Sequence, residues 1–243
     1  PTQALPVGIG RKPNLAIGAG EAIQLVGGFT DPEMMVSIAK SFERFLDGGV
    51  LAGAYGPRIR NQLPVVVDRL RADTDSRQAV AEVSRPDDFA GVPTRDVPCT
   101  KDFHFFIRGG ALEMIASMRS NDVWLGVAYD FFQFTQLQLS VAKALGIPCG
   151  PYHHHADSLH IYERDLEAAG ELHEYDGTPI PDVQGIGNGP SSIEEMQVRA
   201  VELWTEDGES PHWTASELWY VEQLRGHTRP QRSTMRRMEQ LLP

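Results

Sequence analysis

Cysteine is almost missing from this chain: Cys99 and Cys149 are the only two in 243 residues. That excludes a disulfide scaffold and points to a reducing compartment, so a cytoplasmic location is expected. Positive charge is also short, with 22 Lys and Arg against 33 Asp and Glu and a net charge of −11. Such a chain lacks the broad basic face that duplex nucleic acid requires, and nucleic acid is not an expected partner. Any phosphate must be held by a few local arginines against the global field. No apolar run reaches transmembrane length and no signal peptide is recognisable, so no membrane partner is expected. Gly-x-Gly-x-x-Gly, P-loop, Gly-x-Ser-x-Gly, Cys-x-x-Cys and His-Glu-x-x-His patterns are all missing, which weakens dinucleotide, triphosphatase, serine-hydrolase and zinc readings. What is present, 41% apolar residues with a mean hydropathy of −0.29, is enough for one water-facing α+β domain over residues 1–243. The chain begins at Pro1 rather than methionine, so residues upstream of it are expected.

Local patterns predict the elements. Residues 1–14 read as a loop. Ala16 to Val26 reads as a buried helix carrying Glu21, ended by Gly27-Gly28, and Asp31 to Leu46 as a second helix with Pro32 in its first turn. Leu63 to Arg71 and Phe131 to Leu145 are further helices. Strands are predicted at 79–83, 101–108, 111–119, 122–127 and 157–163. Pro86 to Pro98 and Gly170 to Pro190 read as loops. Two capping boxes, Ser192 to Glu195 and Thr214 to Glu217, open helices that run to Thr205 and Leu224, and residues 232–242 form a basic amphipathic tail. Trp204, Trp213 and Trp219 are expected to be packing residues.

Few residues carry chemistry. Cys99 follows a proline and precedes a strand; most free cysteines are small buried hydrophobes, and a reactive thiolate needs a nearby cation. Arg119 supplies one if its strand lies beside the one that follows Cys99. His153, His154 and His155 with Asp157 invite a metal, but consecutive side chains in extended backbone point to opposite faces, and no metal is expected. His160 and Tyr162 share one face of a strand, which by itself is an ordinary half-exposed surface. Glu21 within an apolar helix is either solvent-facing, paired or functional.

Taken together, Pro98-Cys99, Arg119-Ser120-Asn121-Asp122, Leu125-Gly126 and His160-Ile161-Tyr162 resemble the thymidylate synthase superfamily, in order and without gaps. Upstream, Pro6 to Gly28 resembles the family segment whose catalytic glutamate falls on Glu21. Tyr55-Gly56 matches its Tyr-Gly, and Asp75-Ser76-Arg77 its Asp-Ser-Arg-Arg, with Gln78 in place of the second arginine. The resemblance runs to about Arg164; residues 166–243 are a divergent helical part. The departures are informative: the family's base-reading Asn is Asp130, and Thr100 stands where the family has His. Cys99-Thr100, Met118 to Val123 and Ser158-Leu159-His160 are similar to the cytidylate hydroxymethylase branch.

The resemblance implies a thymidylate synthase-like fold, a large mixed sheet packed against helices, with the sheet face forming a homodimer interface. It implies 5-hydroxymethylation of CMP or dCMP with 5,10-methylenetetrahydrofolate as co-substrate. The composition, rich in Ala, Gly and Arg, points to CMP and nucleoside antibiotic biosynthesis. Cys99 would attack the base, Glu21 would position proton-carrying waters, and Asp130 would select cytosine, whose amino donor and N3 acceptor reverse the pattern of uracil. Arg119, Ser120 and a partner-donated Arg77 would hold the phosphate. His160 and Tyr162 would contact the sugar, Tyr55 would join the substrate site, and Asp122, Arg11 and Gly126 would serve the folate. The rival expectations are a thymidylate synthase acting on dUMP and an inactive nucleotide-binding protein. No counterpart of the family's folate-closing C-terminal segment is recognisable.

Overall fold

The computed structural model describes residues 13–90, 94–171, 185–186, 192–205 and 213–227. Helix α1 (Leu15–Gly27) is the centre. Asn14 caps it by accepting from the Ala16 N–H, and Gly28 ends it with φ of 69°, a left-handed turn that any side chain would strain. Its sequence is small and apolar nearly all round, the signature of a helix with neighbours on every side. It packs on α2 (Pro32–Ile38), α3 (Tyr55–Ile59), α6 (Gly126–Leu145), α8 (Ile193–Thr205) and α9 (Ala215–Leu224).

The sheet has four strands in the order β1 (Val80–Glu82), β2 (Thr100–Arg108), β3 (Ala111–Met118) and β5 (Cys149–Ala156). The first two pairings are antiparallel and β3–β5 is parallel, so α6 is the long crossover that a parallel pair requires. Gly109 and Gly110, both at positive φ, make the two-residue turn between β2 and β3. A separate parallel pair joins β4 (Asn121–Asp122) to β6 (Leu159–His160). Alternation buries Phe103, Phe105, Leu112, Met114, Ala116 and Met118 on the helix-covered face. The other face carries His104, Phe106, Glu113, Ile115, His153 and His155. Helices α4 (Leu63–Ala72), α5 (Asp87–Ala90) and α7 (Leu166–Gly170) complete the chain order.

The mixed α+β expectation holds, with local differences. The single helix expected over 31–46 stops at Ala39, which is extended, and continues as a 3₁₀ turn over Lys40–Phe45. No residue of that turn is fully buried, although Phe42 packs against the edge of the core. The strand expected over 122–127 is only the end of β4, because α6 starts at Gly126, five residues before the expected Phe131. The strand expected over 157–163 is the short β6. Residues 149–156, which no periodicity singled out, form β5. Within the loop expected over 86–98 lies the four-residue α5. Residues 1–12, most of the 170–190 loop and the 232–242 tail fall outside the described residues.

The two capped C-terminal helices belong to the core. Trp204 is fully buried, meets Phe29 edge-on at 5.7 Å, and donates its Nε1–H to Asp31 Oδ2 at 2.9 Å. Asp31 also caps α2 through the Met34 N–H and is 1% exposed. Glu217, completing the Thr214 capping box, is fully buried and paired with Arg199 at 2.7 Å. Asp31→Ala is expected to cost about 2–4 kcal/mol, a lost cap plus an unpaired indole N–H. In a Trp204→Phe background the same change should cost distinctly less; additive losses in denaturant titrations would contradict this coupling.

Candidate active site

Glu21 of α1, Tyr55 of α3, Cys99 just before β2, and Asp130 and Gln133 of α6 line one cavity of about 250 Å³. Close packing of α1 against α6 brings the carboxyls together, and the spacing of Asp130 and Gln133 puts both on one helix face. Gln133 Nε2 donates to Asp130 Oδ1 at 3.1 Å and to Glu21 Oε2 at 3.3 Å. Gly56 lets α3 lie directly on α1, since a Cβ there would sit 2.2 Å from the Gln24 carbonyl oxygen. The other end of the cavity is apolar, lined by Leu25, Phe29, Met35, Phe42, Phe45 and Leu51. The break at Ala39 is what turns Phe42 and Phe45 into it.

Burial, and next the charge of Asp130, push Glu21 up to about 8. Burial raises Asp130 to about 7, against hydrogen bonds from Asn121 and Gln133 that favour its ionised form. Tyr55 is held well above the ordinary phenol range by burial and by Asp130 and Cys99. Glu21 and Asp130 thus keep their protons to a higher pH than equivalent carboxyls in water.

Arg119 does lie beside Cys99, because its backbone N–H bonds the Cys99 carbonyl. Its guanidinium donates to the Pro98 carbonyl through Nε and the Val97 carbonyl through Nη2, both at 2.9 Å, and Nη2 reaches Cys99 Sγ at 3.7 Å. The expected lowering of the thiol pKa is nevertheless outweighed: burial pushes Cys99 up, Arg119 opposes it, and Asp130 and Asp96 add to the rise. Two bonds to carbonyls hold the cation in place beside the sulfur.

The other expected residues fall nearby but outside this cavity. Ser120 Oγ is 3.5 Å from His160 Nδ1, across the β4–β6 pair, and His160 meets Tyr162 edge-on at 5.1 Å. Asp122 accepts from the Trp124 and Leu125 N–H groups at 2.9 and 3.3 Å, shaping the entry to α6. A Cβ on Gly126 would lie 2.3 Å from Asn121 Oδ1, so this glycine makes room for the Asn121 amide. Arg77 is exposed in the turn before β1, and its carbonyl meets His104 Nε2 at 3.0 Å on the open sheet face. Arg11 lies outside the described residues.

Sequence reasoning missed Gln133, Asn121, His154 and Tyr152. Alternation along β5 sends His154 inward, where its Nε2 is 2.8 Å from Asn121 Nδ2 and its Nδ1 is 2.6 Å from Tyr152 Oη. Among the described residues no three potential ligands converge on a metal position. The signal for Gln133 was its one-turn spacing from Asp130; the signal for His154 was concealed in a three-histidine run.

Known proteins agree with this geometry at the level of family. Residues 40–234 match the thymidylate synthase family. A deoxyuridylate hydroxymethyltransferase of Bacillus phage SP01 is 32% identical over 177 residues, covering 65% of this chain and 46% of that protein. A thymidylate synthase of Bacillus licheniformis is 27% identical over 133 residues, covering 50% of this chain and 47% of its own. The chain spans about half the length of these curated relatives. In fold, it superposes on the thymidylate synthase of T4 phage with a TM-score of 0.66 at 20% identity, over 83% of this chain and 79% of that one. The fold is that of the thymidylate synthase-like proteins. The chain belongs to the thymidylate synthase family. Glu21 lies upstream of the matched residues, and the match runs through α8 and α9.

The raised carboxyls have a consequence for stability. Both are protonated in the fold where the unfolded chain ionises near the ordinary values of 4.5 and 3.8. The unfolded state therefore binds fewer protons between about pH 4 and 8, and stability falls across that window, by at most about 1.4 kcal/mol per pH unit for each group. Glu21→Gln should raise Tm more at pH 8 than at pH 5. A Tm gain independent of pH would contradict the protonated, buried state of Glu21.

Proposed function

We propose that this protein is a pyrimidine-nucleotide 5-hydroxymethylase that takes its one-carbon unit from 5,10-methylenetetrahydrofolate, and that its base is cytosine. The observation that carries the reading is Asp130: a buried carboxyl, raised to about 7, stands in the cavity of Cys99 and Glu21 where the family resemblance has an amide. A carboxyl holding its proton offers an acceptor to the cytosine 4-amino group and a donor to N3.

In the proposed reaction the Cys99 thiol loses its proton and the sulfur adds to C6 of the base, steadied by Arg119 at 3.7 Å. C5 becomes the nucleophile and bonds to the folate methylene carbon. Loss of the C5 proton and departure of tetrahydrofolate leave an exocyclic methylene. Water adds to that carbon, the C6–S bond breaks, and 5-hydroxymethyl nucleotide is released. Glu21, raised to about 8, is suited to carry protons through water in both stages. The apolar end of the cavity, with Phe42, Phe45 and Leu51, fits the flat rings of a folate. Asp122 and Gly126 serve that site indirectly in this reading, by shaping the start of α6.

The 5′-phosphate is assigned to Arg119 and Ser120, and the sugar to His160 and Tyr162. Arg77 is exposed and does not line the Cys99 cavity, and its carbonyl lies beside the open sheet face. That position suits donation to the phosphate of a second copy, with the two sheet faces in contact. A second reading, hydroxymethylation of dUMP, is favoured by the name of the SP01 relative.

The test is product mass from the enzyme with methylenetetrahydrofolate and CMP, dCMP or dUMP in separate reactions. A gain of one CH₂O unit on CMP or dCMP, with tetrahydrofolate left, is expected. Hydroxymethylation of dUMP alone would establish the second reading, and a methyl gain with dihydrofolate would make the protein a thymidylate synthase. Cys99→Ala should abolish turnover while nucleotide binding persists; retained turnover would remove Cys99 from its assigned role.

A further inference from the structure

A neutral carboxyl does not by itself distinguish cytosine from uracil. Its O–H donates and its C=O accepts. In one fixed pose, a proton on the oxygen facing N3 matches cytosine, and a proton on the oxygen facing position 4 matches uracil. Base selection therefore requires something that decides which oxygen of Asp130 carries the proton.

The surroundings supply such a device. Gln133 Nε2 donates to Asp130 Oδ1 at 3.1 Å and with its second hydrogen to Glu21 Oε2 at 3.3 Å. Gln133 is 5% exposed, so its amide is largely shielded from bulk solvent. An oxygen that accepts from an amide N–H keeps carbonyl character, which leaves Oδ2 as the site of the proton. Nearby, the Asn121 amide is oriented by His154 Nε2 at 2.8 Å and by Met118 Sδ at 3.1 Å. His154 is itself steadied by Tyr152 at 2.6 Å. Gln133 thus links the Asp130 carboxyl of α6 to the Glu21 carboxyl of α1.

We propose that Gln133 is a specificity-determining positioning residue: by holding Asp130 Oδ1 as an acceptor it places the carboxyl proton on Oδ2, and so decides which pyrimidine the site accepts. This rests on the reading of Asp130 as the base-contacting residue. Gln133 itself need not touch the nucleotide.

The test is Gln133→Met, close in shape but without a donor, read as the ratio of kcat/KM for CMP to that for dUMP with methylenetetrahydrofolate. Whichever base the native enzyme prefers, the ratio should move toward unity by about tenfold or more, the scale of one misplaced buried hydrogen bond. Equal losses on both nucleotides, with the ratio unchanged, are what a merely structural role produces and would overturn the proposal. A native preference for dUMP would refute the cytidylate reading and leave this test intact. If turnover by the variant is too slow to measure, the ratio of equilibrium binding constants for CMP and dUMP decides in the same way. If the methionine variant does not fold, Gln133→Glu replaces it: one carboxyl can donate at most one hydrogen, so it cannot hold both Glu21 and Asp130, and the ratio should again move toward unity.

Discussion

Two carboxyl groups buried side by side, Glu21 and Asp130, are the constraint around which this protein is built. Removing a carboxylate from water is costly, and two together are worse, so both release their protons at a higher pH than usual, and they share one amide donor, Gln133. Such a pair persists only if the helices that carry it cannot separate. Helix α1 is accordingly packed from several sides, against α6, α8 and α9, and Trp204 and Asp31 tie the C-terminal helices to the turn that follows it. The destabilising site is held together by the apolar core around it.

The thiol side of the cavity is organised differently. Asp47 accepts from Thr94 and from the Arg95 N–H, and Asp96 accepts from the Gly53 N–H. These contacts bind the segment before Cys99 to the loop before α3, so Tyr55 and Cys99 are placed by the same clamp. Arg119 fixes the Pro98 and Val97 carbonyls while standing near the sulfur. The cation is a structural member of the loop as well as its charge, and it offsets part of the burial that keeps Cys99 protonated.

Much of this was legible in the sequence because local rules and global packing agree there. Gly28, the Thr214 capping box and the alternation of Phe103 and Phe105 all behave as their patterns imply. Glu21, Tyr55, Cys99 and Asp130, far apart in the chain, line one cavity. The rest depends on tertiary context. Nothing local marks Ala39 as a break, since Phe42 and Phe45 beyond it meet the cavity rather than the centre of the core. β5 is hidden because its Gly-Pro-Tyr-His-His-His sequence is an unusual strand, ordered by pairing with β3. The thiol pKa could not be read from the neighbouring arginine, because burial outweighs it. Gln133 is ordinary in sequence and acquires its role only when α1 lies against α6.

The most direct measurement of the account is the base preference of Asp130→Asn. The amide presents an NH₂ donor and a carbonyl acceptor that suit uracil, and it cannot carry the carboxyl proton. The account predicts that turnover of CMP or dCMP falls by about tenfold or more while turnover of dUMP is gained or rises. An unchanged ratio between cytidylate and deoxyuridylate, with the variant folded and active, would show that Asp130 does not read the base and would contradict the account at its centre.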